Sequence, residues 1–170
     1  MADVGSLRPL IMASVRGLAK GFYNDEQIEL SVRTVFGVDE QLIEDGTYFV
    51  VEMKGSIVGC GGWSKRRTLY GASQYQESRD PELLDPTREP AKIRAFFVHP
   101  DAARKGIGRA ILESCEAAAL KHGFRSAEMM ATLPGVPLYE KCGYEKLETV
   151  AVPLSGGVEI DCIVMRKELI

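Results

Sequence analysis

The spacing of apolar residues divides the chain into a helical opening, a β-rich middle and a tail in which strands and helices alternate. Residues 7–19 have helical composition, with Pro9 acceptable only in a first turn. Gly21 breaks that helix. Asn24 or Asp25 supplies the cap for a second helix carrying Ile28, Leu30, Val32, Val35 and Phe36, and Gly37 ends it. Asp39 caps a short further turn that reaches Glu44, and Asp45-Gly46 turns the chain. Residues 47–53 (TYFVVEM) are β-rich, Lys54-Gly55 reverses them, and residues 56–63 (SIVGCGGW) return as the second arm of an antiparallel hairpin.

Further on, Ile93, Ala95 and Phe97 alternate with Arg94, Phe96 and Val98, as a central strand requires. From Ile107 the apolar positions Ala110, Ile111, Cys115 and Ala118 follow helical spacing. Lys121 and His122 fall in the last turn, and Gly123 stands as the left-handed cap. Ala127 to Leu133 reads as another strand, ended by Pro134-Gly135. A short helix starts at Leu138 and stops at Gly143. The tail is a hairpin, residues 145–154 and 158–166 around Ser155-Gly156-Gly157, with Val158, Ile160, Cys162 and Val164 on one face. The order predicts an α/β fold around a mixed sheet, because a strand–helix–strand unit contains a parallel pair.

Residues 64–90 interrupt this pattern. They are polar, carry Pro81, Pro86 and Pro90, and are too long for an ordinary connection. Trp63, Tyr70 and Tyr75 supply aromatic surface that a solvated linker does not need.

Composition narrows the function. At 170 residues the chain fits one domain, 1–170, with a real core. Lys plus Arg number 21 against 24 Asp plus Glu, a formal charge of −3, which disfavours nucleic-acid and anionic-membrane partners. No apolar run approaches the roughly 18 residues that span a bilayer. The first residues lack the basic and apolar regions of a secretory signal. Cys60, Cys115, Cys142 and Cys162 form no C-x-x-C pair and have no His at ligand spacing. They read as reduced thiols of a cytoplasmic protein, with no disulfide framework and no metal site.

The candidate chemistry centres on Lys105-Gly106-Ile107-Gly108-Arg109. A strand that passes to a helix through such a loop makes an anion site, because first-turn amides lack intrahelical partners and the helix dipole is positive there. Gly106 and Gly108 admit a phosphate close to the backbone, although both also suit plain packing before a helix. The segment lacks the Gly-Lys-Ser/Thr of a P-loop and the G-x-G-x-x-G of a dinucleotide fold.

Three segments in order carry a family resemblance: Val98-His99-Pro100 closing the central strand, Ala103-Arg104-Lys105-Gly106-Ile107-Gly108, and Leu138-Tyr139-Glu140-Lys141-Cys142-Gly143-Tyr144. The chain resembles the GNAT superfamily of acetyl-CoA-dependent N-acetyltransferases from about Thr47 to its end. Ala103 departs from the family's usual Gln or Arg, and the Asn often found shortly before the Tyr is missing. The resemblance implies a mixed, largely antiparallel sheet with flanking helices and a parallel strand pair splayed to hold the cofactor. It implies acetyl-CoA as cosubstrate, no metal, an amine as acceptor, no nucleic-acid or membrane partner, and room for a homodimer. The pantetheine would pair with backbone near Phe96, Phe97 and Val98, and the pyrophosphate would sit on Arg104, Lys105, Gly106, Ile107, Gly108 and Arg109.

Roles for the remaining residues stay open between two readings. Tyr139 is a packed aromatic or, by resemblance, the acid that protonates the coenzyme A thiolate. Glu128 is a surface carboxylate or the base that deprotonates the amine. Arg94 holds a substrate carboxylate or forms a structural ion pair. Trp63, Tyr70 and Tyr75 are core or line the acceptor pocket, with the N-terminal helices as the opposite wall. His99 and Cys142 read as structural. A non-catalytic acyl-CoA-binding module and an acetyltransferase acting on a protein N-terminus or lysine are the alternatives to a small-molecule enzyme.

Overall fold

The opening apolar stripe folds as helix α1 (Val4–Leu18), which buries Leu7, Leu10, Ile11, Ser14 and Val15 on one side. The computed structural model describes residues 4–170. Because α1 starts before Leu7, Pro9 lies inside the helix and not in its first turn. It stands on the exposed side, where the Gly5 carbonyl that loses a donor can take water. Helix α2 (Asp25–Thr34) starts with a reciprocal cap. The Gln27 amide donates to Asn24 Oδ1 at 2.8 Å, and the Asn24 amide donates to Gln27 Oε1 at 2.9 Å. Helix α3 (Glu40–Glu44) starts at Asp39, whose carboxylate accepts from the Leu42 amide.

Strands β1 (Tyr48–Met53), β2 (Ser56–Ser64), β3 (Ala91–Val98), β4 (Ser126–Thr132), β5 (Glu145–Pro153) and β6 (Glu159–Glu168) form one sheet in the order β1-β2-β3-β4-β6-β5. Only β3 and β4 run parallel among the described strands. Helix α4 (Ile107–Lys121) makes the crossover between them, and the short helix α5 (Val136–Lys141) follows β4. Residues 1–3, ahead of α1, lie outside the described residues. Each face of the sheet has its own core. Trp63, Ile93, Ile111, Leu112, Met129 and Met165 pack on the α4 side. Leu7, Leu10, Ile11, Ile28, Ile160 and Cys162 pack on the α1 side.

The expected alternation along β3 fails at one residue. Gly62 pairs with Arg94 and Cys60 with Phe97, so β3 carries an extra residue there. Ala95, at φ +55°, is that residue. The bulge moves Phe96 and Val98 onto the α4 side with Ile93, while Phe97 goes to the α1 side. A strict period of two had placed Ile93 with Phe97.

Residues 65–90 form no helix or strand; an isolated bridge joins Arg66 to Leu83. They are nonetheless tied down. The Ala72 amide donates to Val35 O at 2.8 Å, Ser73 to Val38 O at 3.2 Å, and the Gln74 side chain to Phe36 O at 3.0 Å. Arg66 grips Asp45 through two bonds of 2.8 and 2.9 Å. The insert and the α2–α3 segment are thus one wall, where the sequence had suggested two facing walls.

Asp39 fastens that wall to the sheet. Its carboxylate has no exposure and lies 2.6 Å from the Arg94 guanidinium and 3.5 Å from that of Arg79. Removing one member of a buried pair leaves the other charge uncompensated, typically costing about 3–5 kcal/mol. Asp39→Ala strands two arginines, whereas Arg94→Met leaves Asp39 with Arg79. Denaturant unfolding is expected to show a loss of about 3–5 kcal/mol for Asp39→Ala and a smaller one for Arg94→Met.

Candidate active site

The parallel pairing of β3 and β4 covers Ala91↔Ala127, Lys92↔Glu128 and Ile93↔Met129, and then stops. β3 continues to Val98 and β4 to Thr132. The strands therefore part beyond Ile93 and Met129, and the bulge at Ala95 lies just past the point of separation. The sides of Phe96 and Val98 face the α4 layer. The Val98 amide donates to Ser14 Oγ of α1 at 3.2 Å.

β3 leads through a 3-10 turn (Pro100–Ala102) into the loop before α4. His99 caps that turn: its Nδ1 accepts from the Asp101 amide at 3.2 Å, which fits the structural reading. Arg104 at φ +61° and Gly106 at φ +82° curl the loop. Gly106 is the N-cap residue of α4 and offers no side chain, so the first-turn amides of α4 have no side-chain cap. Arg104, Lys105 and Arg109 are exposed beside it, and Ile107 turns into the core. The two glycines differ. A Cβ on Gly106 would meet nothing within 4 Å, whereas one on Gly108 would stand 2.8 Å from Leu138 Cδ2. Gly108 therefore sets the approach of α4 to α5, and Gly106 faces open space.

Tyr139 lies on α5, 8% exposed, with its ring 6.2 Å from those of Phe96 and Tyr144 in edge contacts. The ring passes over Gly135, where a Cβ would be 2.8 Å from Cε2. Burial, then Cys115 and Cys142, holds its phenol well above the ordinary range. Tyr139 therefore stays neutral and able to donate. Cys142 is likewise raised by burial, which leaves little thiolate.

Glu128 is on the opposite face from Tyr139, since its neighbours Ala127 and Met129 fill the α4-side core. Its carboxylate is paired with the Lys92 ammonium. Arg94 does not reach into a space between walls: its guanidinium is bound to Asp39 and donates to the Thr68 carbonyl at 3.0 Å. This is the structural ion pair of the two readings. Trp63 is core, 1% exposed, 4.9 Å from the His122 ring and 5.9 Å from Phe124. Tyr70 and Tyr75 meet with ring centroids 5.8 Å apart, tilted by 41°, in the α1-side layer, and the Tyr75 hydroxyl donates to Pro153 O at 3.0 Å. The fold thus gathers Phe96, Val98, Ile107, Gly108 and Tyr139, and leaves Trp63, Arg94 and the two tyrosines in supporting positions. Ser14 went unnoticed in the sequence, although a lone hydroxyl within the stripe Leu7, Leu10, Ile11, Val15 was its signal.

The fold has known counterparts. Residues 44–146 match the family model described as an acetyltransferase (GNAT) domain, and the chain belongs to that family. The comparison with curated proteins returns no match. Among solved structures, a GCN5-related N-acetyltransferase from Rhodopseudomonas palustris aligns at TM-score 0.71 and 18% identity, over 98% of this chain and 90% of that one. The PaiA N-acetyltransferase from Thermoplasma acidophilum, solved with coenzyme A, gives 0.66 and 15%, over 98% and 93%. YncA from Salmonella typhimurium, solved with its cofactor acetyl-CoA, gives 0.64 and 17%, over 99% and 90%. These likenesses establish the fold: a mixed, largely antiparallel sheet with one parallel pair and flanking helices.

Burial raises the phenols of Tyr23, Tyr48, Tyr75, Tyr139 and Tyr144, and lifts the Cys60 thiol to about 11 and that of Cys162 to about 12. The unfolded chain releases these protons from its ordinary values of 9.0 and 10.0, while the native state retains them. Their contribution to stability is complete below those values and lost as pH rises through the native ones. Unfolding midpoints measured in steps from pH 8 to 11 should stay level to about pH 9 and then fall steadily.

Proposed function

We propose that this protein moves an acetyl group from acetyl-CoA to a primary amine on a small molecule, without an acyl-enzyme. The observation that carries the reading is the parting of β3 and β4 directly below an uncapped, basic helix start. Pantetheine fits the gap beside Phe96, Phe97 and Val98, and the pyrophosphate fits the amides from Lys105 to Arg109. In the gap, pantetheine would meet the Val98 amide that donates to the Ser14 hydroxyl.

In the transfer, the amine nitrogen bonds to the thioester carbon while backbone amides of β3 hold the oxyanion. The C–S bond then breaks, and the departing thiolate takes a proton from Tyr139. The nitrogen gives up its proton to a base. We assign that role to Glu128, on the face away from Tyr139 and paired with Lys92. Acid and base on opposite faces suit an amine and a thiol that arrive from opposite sides. The Thr68 carbonyl on Arg94 brings residues 65–80 close over the amine's side of the sheet, which favours a small acceptor over a protein segment. Screening an amine panel for free thiol release tests the reading; release with protein N-termini alone would overturn the small-molecule part.

Two variants test the assignments separately. Tyr139→Phe keeps the packing and removes the acid, so turnover should fall by about 10²–10⁴ with the melting temperature and coenzyme A affinity retained. Gly108→Glu drives a side chain into Leu138 and a negative charge toward the pyrophosphate, so calorimetry should show coenzyme A binding lost. Gly108→Ala meets only a terminal methyl of Leu138 and should retain it.

A further inference from the structure

We infer that Tyr48 is a positioning residue for the transfer step, fixing the bulge at Ala95 so that the Phe96 amide faces the thioester carbonyl. The inference rests on the acetyl-transfer reading above. Among the described residues, Ala95 is the one inside a strand with a left-handed backbone, at φ +55°. Side chains rarely adopt that conformation, and it persists only where its surroundings impose it.

The imposing contact comes from two strands away. The Tyr48 hydroxyl donates to the Ala95 carbonyl at 3.1 Å. To reach it from β1, the ring crosses β2 at Gly62, where a Cβ would stand 2.8 Å from Tyr48 Cδ2. Gly62 is therefore the gap through which the ring passes. Cys60, next but one along β2, pairs with Phe97 on the other side of the bulge.

The direction of the neighbouring amide follows. A trans peptide points its carbonyl and its N–H in opposite directions, and the chain has no cis bond among the described residues. Tyr48 packs with the α1-side layer, whereas the Phe96 and Tyr139 rings meet in the α4-side layer. Holding the Ala95 carbonyl toward Tyr48 turns the Phe96 N–H toward the side that holds Tyr139. A donor fixed there is ready for the charge that develops on the thioester oxygen, with no reorganisation during the reaction. Tyr48 touches neither substrate nor cofactor; it acts through the peptide it holds.

Infrared difference spectra of bound acetyl-CoA labelled with ¹³C at the thioester carbonyl test this without knowledge of the acceptor. The wild-type protein should move the carbonyl stretch to lower wavenumber. Tyr48→Phe should lose most of that shift and slow turnover by roughly ten- to a hundredfold, while its affinity for free coenzyme A, which has no thioester carbonyl, stays the same. Ala95→Gly in the Tyr48→Phe background should restore much of the shift, because glycine takes the left-handed conformation without support. A full shift and full turnover in Tyr48→Phe, or a loss that Ala95→Gly does not touch, overturns the role of Tyr48. A wild-type protein that binds acetyl-CoA with no shift overturns the oxyanion reading itself.

Discussion

The parallel contact between β3 and β4 lasts three residue pairs, and the rest of the site follows from its ending there. A sheet that continued to pair would bury every backbone group of both strands in its own ladder. Stopping at Ile93 and Met129 leaves donors and acceptors on facing edges, and such groups must find partners when water is excluded. One of them, the Val98 amide, has found the Ser14 hydroxyl. A ligand laid between the strands completes the ladder by supplying the missing edge. The same opening sets the beginning of α4 above it, since the crossover helix has to return from the end of β3 to the start of β4.

The sheet also separates two kinds of interaction. On the α4 side the contacts are apolar and close-packed, with Gly108 against Leu138 and Tyr139 between two aromatic rings. On the other side, an apolar core under α1 is joined by buried charge pairs. Asp39 holds Arg94 and Arg79, Asp45 holds Arg66, and Glu128 is matched by Lys92. Of these, the pairs of Arg66 with Asp45 and of Arg79 with Asp39 help a 26-residue stretch without regular structure, residues 65–90, to lie in a defined place. Buried pairs of this kind gain little net stability, but they penalise any arrangement that separates the partners.

Local signals in the sequence were read correctly where they act locally. The Asn24 and Asp39 caps, the hairpin through Lys54-Gly55, the α4 stripe and the loop at Gly106 all depend on residues within a few positions of one another. The misreadings are long-range. Nothing near Ala95 announces a bulge, because its cause includes Tyr48 and Gly62 on other strands. Nothing near Arg94 names Asp39, 55 positions earlier, as its partner. Trp63 stayed open between core and pocket lining because it borders the insert, and strand alternation turns it into the α4 core. Pro9 was misplaced because α1 starts at Val4, three residues ahead of the first apolar position of its stripe. The motif order revealed the family, while the supporting contacts needed the folded chain.

The position of Trp63 has an optical consequence. It is the chain's one tryptophan, and it sits between β2 and the end of α4, against His122 and Phe124. Intrinsic emission therefore reports one layer only. Loosening of the α4 side would redden and dim it, whereas partial opening of the α1 layer or the insert would pass unseen until the sheet itself gave way. A fluorescence trace and a far-ultraviolet dichroism trace that separate on heating would thus reveal which of the two layers yields first.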